Sequence, residues 1–226
     1  TLHFIIEFFS FVIGIIIFYF AIRGFRATGS RRILLLGSAF LSMGLIDTIH
    51  AFAFKDMPAL IVPTGPHYSI YYWILSKVSG AILLFSSVLF HDAVIDEKSR
   101  KKLTLYVTVS VVFFSLFIGW IVANYIEILP AMYIVGKGLT LLKIYLEYFV
   151  TVLLATTGVL CLRIFLKTGN KLLYWFIVGF IFFIMSELSF TLYKDVWDIY
   201  IWLGHLFKSV SYGMFMLGLM DLFKSS

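Results

Sequence analysis

Apolar residues fill this chain in long uninterrupted runs, and polar residues punctuate the runs at intervals too wide for a soluble fold. Seven stretches of about 20 residues stand out, the length a helix needs to cross the hydrocarbon of a bilayer. They cover approximately 2–22, 33–54, 70–90, 103–125, 139–166, 172–193 and 199–222. Strands of a membrane β-barrel would be about half as long and would alternate in polarity. These runs do neither, so the pattern predicts an all-α membrane protein, a bundle of seven transmembrane helices. The connections are short: "RGFRATGSRR", "HDAVIDEKSRKK" and "KTGNK" on one side, "KDMPALIVPTGPHYS", "IEILPAMYIVGKG" and "KDVWD" on the other. None is long enough for a second domain, so residues 1–226 are expected to form one unit. The first run is too long, and lacks the basic flank, for a cleaved signal peptide.

Composition agrees with the pattern. Of 226 residues, 62% are hydrophobic and 13% charged, with a mean hydropathy of +1.01. Soluble domains carry about a quarter charged residues. The one cysteine, Cys161, rules out an internal disulfide or a paired-thiolate metal site. The net charge of +6 raises nucleic acid as a partner, but the basic residues stand at the ends of apolar runs, where topology accounts for them. Arg23, Arg26, Arg31, Arg32, Lys98, Arg100, Lys101, Lys102, Arg163, Lys167, Lys171 and Lys224 fall on one side; Lys55, Lys137 and Lys194 fall on the other. By the positive-inside rule the N-terminus is expected outside and the C-terminus in the cytoplasm.

The exceptions inside the runs carry the chemistry. His3, Glu7, Asp47, His50, Lys77, Lys143, Glu147, Glu187, His205 and Lys208 all lie within predicted spans. Each such residue costs about 2.5–3.5 kcal/mol at mid-helix on an insertion scale. With the expected topology, every one falls in the outer half of the membrane, and six helices contribute. His3/Glu7 and Lys143/Glu147 are spaced i,i+4, Asp47/His50 and His205/Lys208 i,i+3, and Trp73 is i,i+4 from Lys77. Each pair therefore shares a helix face. Packing is expected to turn these faces toward one another, leaving the fourth span, which has none, at the periphery.

Two readings of the layer compete. In one it is a self-satisfied polar plug that fixes helix packing; in the other it is a binding centre, which is the default for intramembrane charge. The candidate ligand-binding residues are Glu7, Asp47, His50, Trp73, Lys77, Lys143, Glu147, Glu187, His205 and Lys208, flanked by the aromatics Tyr72, Tyr145, Tyr148 and Phe190. His3, His50 and His205 are candidate ligands for a transition metal, and a haem between His50 and His205 is a second cofactor option. His67 and His91 read as ordinary loop residues. Gly37, Ser38, Ser42, Gly80, Ala81, Gly179, Ser209 and Gly213 read as close helix contacts.

The segments "LHFIIEFFS" in span one, "GLIDTIHAFAFKDMP" closing span two and "YYWILSKVSGAILL" in span three resemble the third-type membrane-associated sensor family. The resemblance covers essentially the whole chain and rests most on D-x-x-H followed by K-D-M, with H-x-x-x-E in support. It implies a prokaryotic seven-helix sensory input domain in the cytoplasmic membrane, surrounded by lipid. Such domains precede PAS, histidine-kinase or cyclic-di-GMP output modules, and the resemblance implies a homodimer. Where the family commonly carries an arginine, this chain has Lys77, which keeps the charge and loses the forked donor. The sequence lacks an initial Met, so a piece of a longer polypeptide is expected, with span seven continuing past Ser226 toward a cytoplasmic output module.

The expected function is thus a membrane-embedded sensory input domain that recognises a small ligand, metal or cofactor in the outer polar layer, with no enzymatic activity of its own. The alternative is a seven-helix metal-dependent membrane hydrolase, weakened by the absence of HxxxH or ExxH spacing. A transporter would continue its polar groups to the cytoplasmic side, and these spans do not. A retinal photoreceptor is suggested by a lysine in span seven, but the residues around Lys208 do not match.

Overall fold

A computed structural model turns each of the seven apolar runs into a helix and describes residues 2–55, 57–90, 95–134, 136–193 and 198–224. The helices are α1 (Leu2–Thr28), α2 (Arg31–Ala53), α3 (Pro66–Leu89), α4 (Glu97–Tyr125), α5 (Leu141–Thr168), α6 (Lys171–Ser189) and α7 (Ile199–Lys224). All seven are long and apolar enough to cross a membrane, and the protein is a multi-pass integral membrane protein. Asp56, His91, Lys194 and the side chain of Lys224 lie outside the described residues.

Helix ends depart from the apolar runs where capping chemistry takes over. α4 starts six residues before its apolar run because the Asp96 carboxylate accepts from Ser99 N–H at 2.9 Å. The Ser99 hydroxyl, and after it that N–H, hold the Asp96 carboxyl below the usual carboxylate range. α3 starts early at Pro66, whose missing N–H costs nothing in the first turn. α5 stops at Gly169, a left-handed C-cap with φ +64°. α6 stops at Ser189, short of the expected 193. The chain then turns, and the carbonyl of Phe190 accepts from Lys143 Nζ at 2.6 Å. A buried ammonium thereby receives an acceptor that a continuing helix would have used internally. Between α4 and α5 a small antiparallel hairpin pairs β1 (Tyr133–Ile134) with β2 (Gly138–Leu139), an element the apolar pattern does not announce.

Six helices close a ring in the order α1, α2, α3, α5, α6, α7, with α7 returning to α1. α4 packs outside, against α2 and α3, and shows Leu105, Tyr106, Phe113, Leu116 and Trp120 to the surroundings. The span without buried ionisable residues is thus the one left at the periphery, as expected. α2 is the most enclosed helix: Phe40 packs on Phe215 of α7 at 5.0 Å and Met43 on Tyr212 at 3.7 Å. Glycines set the closest approaches. A Cβ on Gly37 would meet the Ala21 side chain at 2.4 Å, one on Gly80 would meet Met43 at 2.3 Å, and one on Gly179 would meet Phe215 at 2.8 Å. Gly213 faces open space, so the expectation of a close contact there is corrected.

Apolar packing divides along the bundle. A large core around Phe40, Phe180, Phe183, Tyr212 and Phe215 fills the half toward the α1 C-terminus. A smaller cluster of Trp73, Phe190, Tyr193 and Ile201 sits near the other end. The ionisable residues lie between these clusters.

Candidate functional site

The turn in which each charged residue sits decides where its side chain goes. Glu7 is in the second turn of α1, Asp47 and His50 are in the last turns of α2, and Lys77 lies three turns into α3. Lys143 and Glu147 open α5, Glu187 closes α6, and His205 and Lys208 are in the second and third turns of α7. All are at most 5% exposed, as are His3 and Trp73. Among the described residues, no other Asp, Glu, Lys, Arg or His is buried.

The groups form a connected chain of contacts. Lys77 Nζ donates to both oxygens of Asp47, at 3.1 and 2.8 Å. Asp47 Oδ2 also lies 2.8 Å from Lys208 Nζ. Lys208 in turn donates to Glu7 Oε2 at 2.6 Å, and Glu7 Oε1 lies 2.8 Å from His205 Nδ1. That last approach is a close polar contact and not a well-aligned hydrogen bond. One line of polar contacts therefore runs from α3 through α2, α7 and α1 and returns to α7. The indole of Trp73 lies under it, 4.1 Å from Lys77 Nζ and 4.9 Å from Lys208 Nζ. A desolvated ammonium over an indole face gains about 2 kcal/mol from the ring quadrupole.

A second group stands on α5 and α6. Lys143 Nζ lies 2.8 Å from Glu147 Oε1, within one helix turn, and Tyr193 places its ring 4.9 Å from the ammonium. Glu187 faces Glu147, with Lys77 and Lys143 in electrostatic range. No described donor makes an aligned hydrogen bond to the Glu187 carboxyl.

Three imidazoles gather above the first group. His3 meets His50 and His205 edge-on, with ring centroids 5.2 and 4.8 Å apart, and stacks on Phe54 at 3.9 Å. His50 donates from Nδ1 to the carbonyl of Ser69 at 2.8 Å, with Ser69 Oγ 3.1 Å away. A cavity of about 40 Å³ opens beside these rings, bounded by Trp73, Phe190, Tyr193 and Ile201. At 10–15 Å³ per water it has room for roughly three waters. That is far too small for a macrocycle, and His3 packs against both His50 and His205, so the haem option finds no space here.

The structure thus brings all the candidate residues into one polar layer. It does not bring all the proposed aromatic flank: Tyr145 and Tyr148 are 65% and 47% exposed on α5, and Tyr72 donates to the carbonyl of Gly119 on α4. Tyr145 and Tyr148 share the exposed face of α5 with Leu141, Phe149 and Val152. His67 packs its ring on Tyr71, outside the cavity. Ser69, Phe54 and Tyr193 are contributors the sequence reading passed over. Ser69 had a signal, since it precedes Trp73 and Lys77 at four-residue steps on one face of α3. Phe54 had one too, i,i+4 from His50 in the predicted second span, whereas Tyr193 had none, because it reaches Lys143 only where α6 stops short of its predicted end.

Neither the curated proteins nor the solved structures contain a match to this sequence. The sequence model of the MASE3 membrane-associated sensor domain matches residues 1–221, nearly the full chain. The seven-helix architecture, the polar layer shared by six of its helices and this match together place the chain in the MASE3 family of membrane-associated sensor domains.

Proposed function

We propose that residues 1–226 act as one sensory input unit, in which occupancy of the outer polar layer changes how α7 packs and α7 carries that change to a cytoplasmic output module. The N-terminus lies outside, because the basic residues cluster at the opposite end of the bundle. Arg100 donates there to the carbonyls of Arg26 and Ala27, and Arg32 to that of Phe90. The domain performs no reaction; it reads a ligand and passes on a shift.

The observation that carries this reading is the position of Lys208. It stands on the last helix and is held between Glu7 of α1 and Asp47 of α2. A ligand that competes for either carboxylate has a different affinity for the clamped and released positions of α7, which is what coupling requires. Removing one member of a buried ion pair costs about 3–5 kcal/mol, enough to invert a two-state equilibrium.

Spin labels at the far ends of α2 and α7, at Arg31 and Phe223, test it by pulsed dipolar spectroscopy. The double change Glu7→Gln with Asp47→Asn is expected to move the distance distribution by about 1–2 Å, the usual scale of a helix shift. Superimposable distributions in a folded double variant would show that the layer is only a packing device.

A further inference from the structure

Buried imidazoles are normally satisfied through both ring nitrogens or exposed at one of them. Here they are not. His3 Nδ1 and His50 Nε2 are buried with no hydrogen-bond partner among the described residues. Both rings line the cavity, together with His205. An unpartnered ring nitrogen in apolar surroundings is unfavourable, and two in one small cavity need a common explanation.

We propose that His3, His50 and His205 form a binding site for a divalent transition-metal ion at the outer mouth of the polar layer. The inference rests on the sensory reading and names the stimulus class. Four features of the geometry converge on it. Two imidazoles bound to one tetrahedral ion at about 2.0–2.1 Å hold their ring centroids about 5 Å apart, and His3 stands 5.2 Å from His50 and 4.8 Å from His205. The ligand atoms of His3 and His205 lie within 4.8 Å of each other and of a Glu7 carboxylate oxygen; His50 stands outside that group and joins the site through its edge-on ring contact with His3.

Metal-bound histidines turn the second nitrogen to a carbonyl or a carboxylate, which fixes the tautomer. His50 turns Nδ1 to the Ser69 carbonyl at 2.8 Å, and His205 turns Nδ1 to Glu7 at 2.8 Å. Both therefore aim Nε2 elsewhere. Finally, the Glu7 carboxylate stands 2.8 Å from His205 Nδ1, beside the three rings, and favours a cation over an anion there. Lys208 does not repel the ion at full strength, because two carboxylates already hold it at 2.6 and 2.8 Å. Three imidazoles suit zinc, copper or nickel. The cavity leaves the fourth position to water.

The link to α7 is direct. His205 is one turn from Lys208 and shares Glu7 with it. An ion drawing on His205 reorients the carboxylate that clamps Lys208, so binding and helix position change together.

Zn²⁺ binding to the purified chain in lipid nanodiscs, followed by equilibrium dialysis, tests the site. One equivalent is expected, weakened at least about tenfold by His3→Gln, His50→Gln or His205→Gln, a loss of the size seen when metal sites are disturbed. His67→Gln, outside the cavity, should bind as the parent does. Equal binding in all four variants, or loss in the His67 variant alone, overturns the site. X-ray absorption on the unaltered Zn²⁺-loaded chain needs no variant to fold: three nitrogen scatterers at about 2.0–2.1 Å are expected, and a shell of oxygens or sulfur sinks the proposal. A failure here, with the Arg31–Phe223 label distance still responding to the Glu7/Asp47 change, would remove the metal and leave the transmission reading standing.

Discussion

Lys208 holds two carboxylates at once, and Asp47 holds two ammoniums. In that arrangement no single charge can be removed without stranding another in a low-dielectric layer. Asp47→Asn is therefore expected to destabilise the folded bundle by about 3–5 kcal/mol, seen as a lower thermal midpoint in detergent. Replacing the pair with apolar groups, as in Asp47→Leu with Lys77→Met, should cost less than Asp47→Asn alone, since Lys208 keeps Glu7 as its partner and no ammonium is left at position 77 without Asp47. If the double change proved the more damaging, the charges would be stabilising in themselves. At this scale much was legible. The spacings of Asp47 with His50 and of His205 with Lys208 announce shared faces from the sequence alone. That Lys208 meets Glu7, 201 residues away, was not legible. Any of the three lysines satisfies the same bookkeeping of charge until packing chooses one.

Helices approach closely where a side chain has been removed, and the glycines say which helices those are. Gly37 lets α2 meet α1 against Ala21, and Gly80 lets α3 meet Met43 of α2. Gly37→Val is expected to cost about 1–3 kcal/mol by overpacking, measured by thermal unfolding. Gly213→Ala, at a helical position with nothing within 4 Å of the added carbon, should instead stabilise by about 1 kcal/mol through helix propensity. A loss of stability at Gly213 equal to that at Gly37 would contradict the packing described. The helices themselves were legible because lipid demands long apolar runs with every backbone group paired internally. Their ends were not. Asp96 extends α4 into a charged segment, and α6 gives up four expected residues so that the Phe190 carbonyl can reach Lys143. Hydropathy has no term for either.

Across the whole molecule, charge is partitioned along the bundle: most exposed cations stand at one end, and the buried ionisable layer lies toward the other. The proposed orientation predicts that Lys137→Cys, on the β1–β2 hairpin, reacts with an impermeant maleimide in intact cells. Lys101→Cys, at the start of α4 and 66% exposed in its side chain, should react only after permeabilisation; the reverse labelling pattern would invert the topology. The sequence by itself determined that the chain is a seven-helix membrane domain, which residues are costly in lipid, and that they share one depth. Those properties follow from local composition, from helix period and from the one-dimensional order of spans across a bilayer. Only the tertiary structure decided the partners. The closed ring of six helices brings α7 beside α1 and α2, sets Lys208 between Glu7 and Asp47, and gathers three imidazoles around one small cavity. Helix rotation and neighbour order are set by side-chain packing over the whole bundle, and no local stretch of sequence contains them.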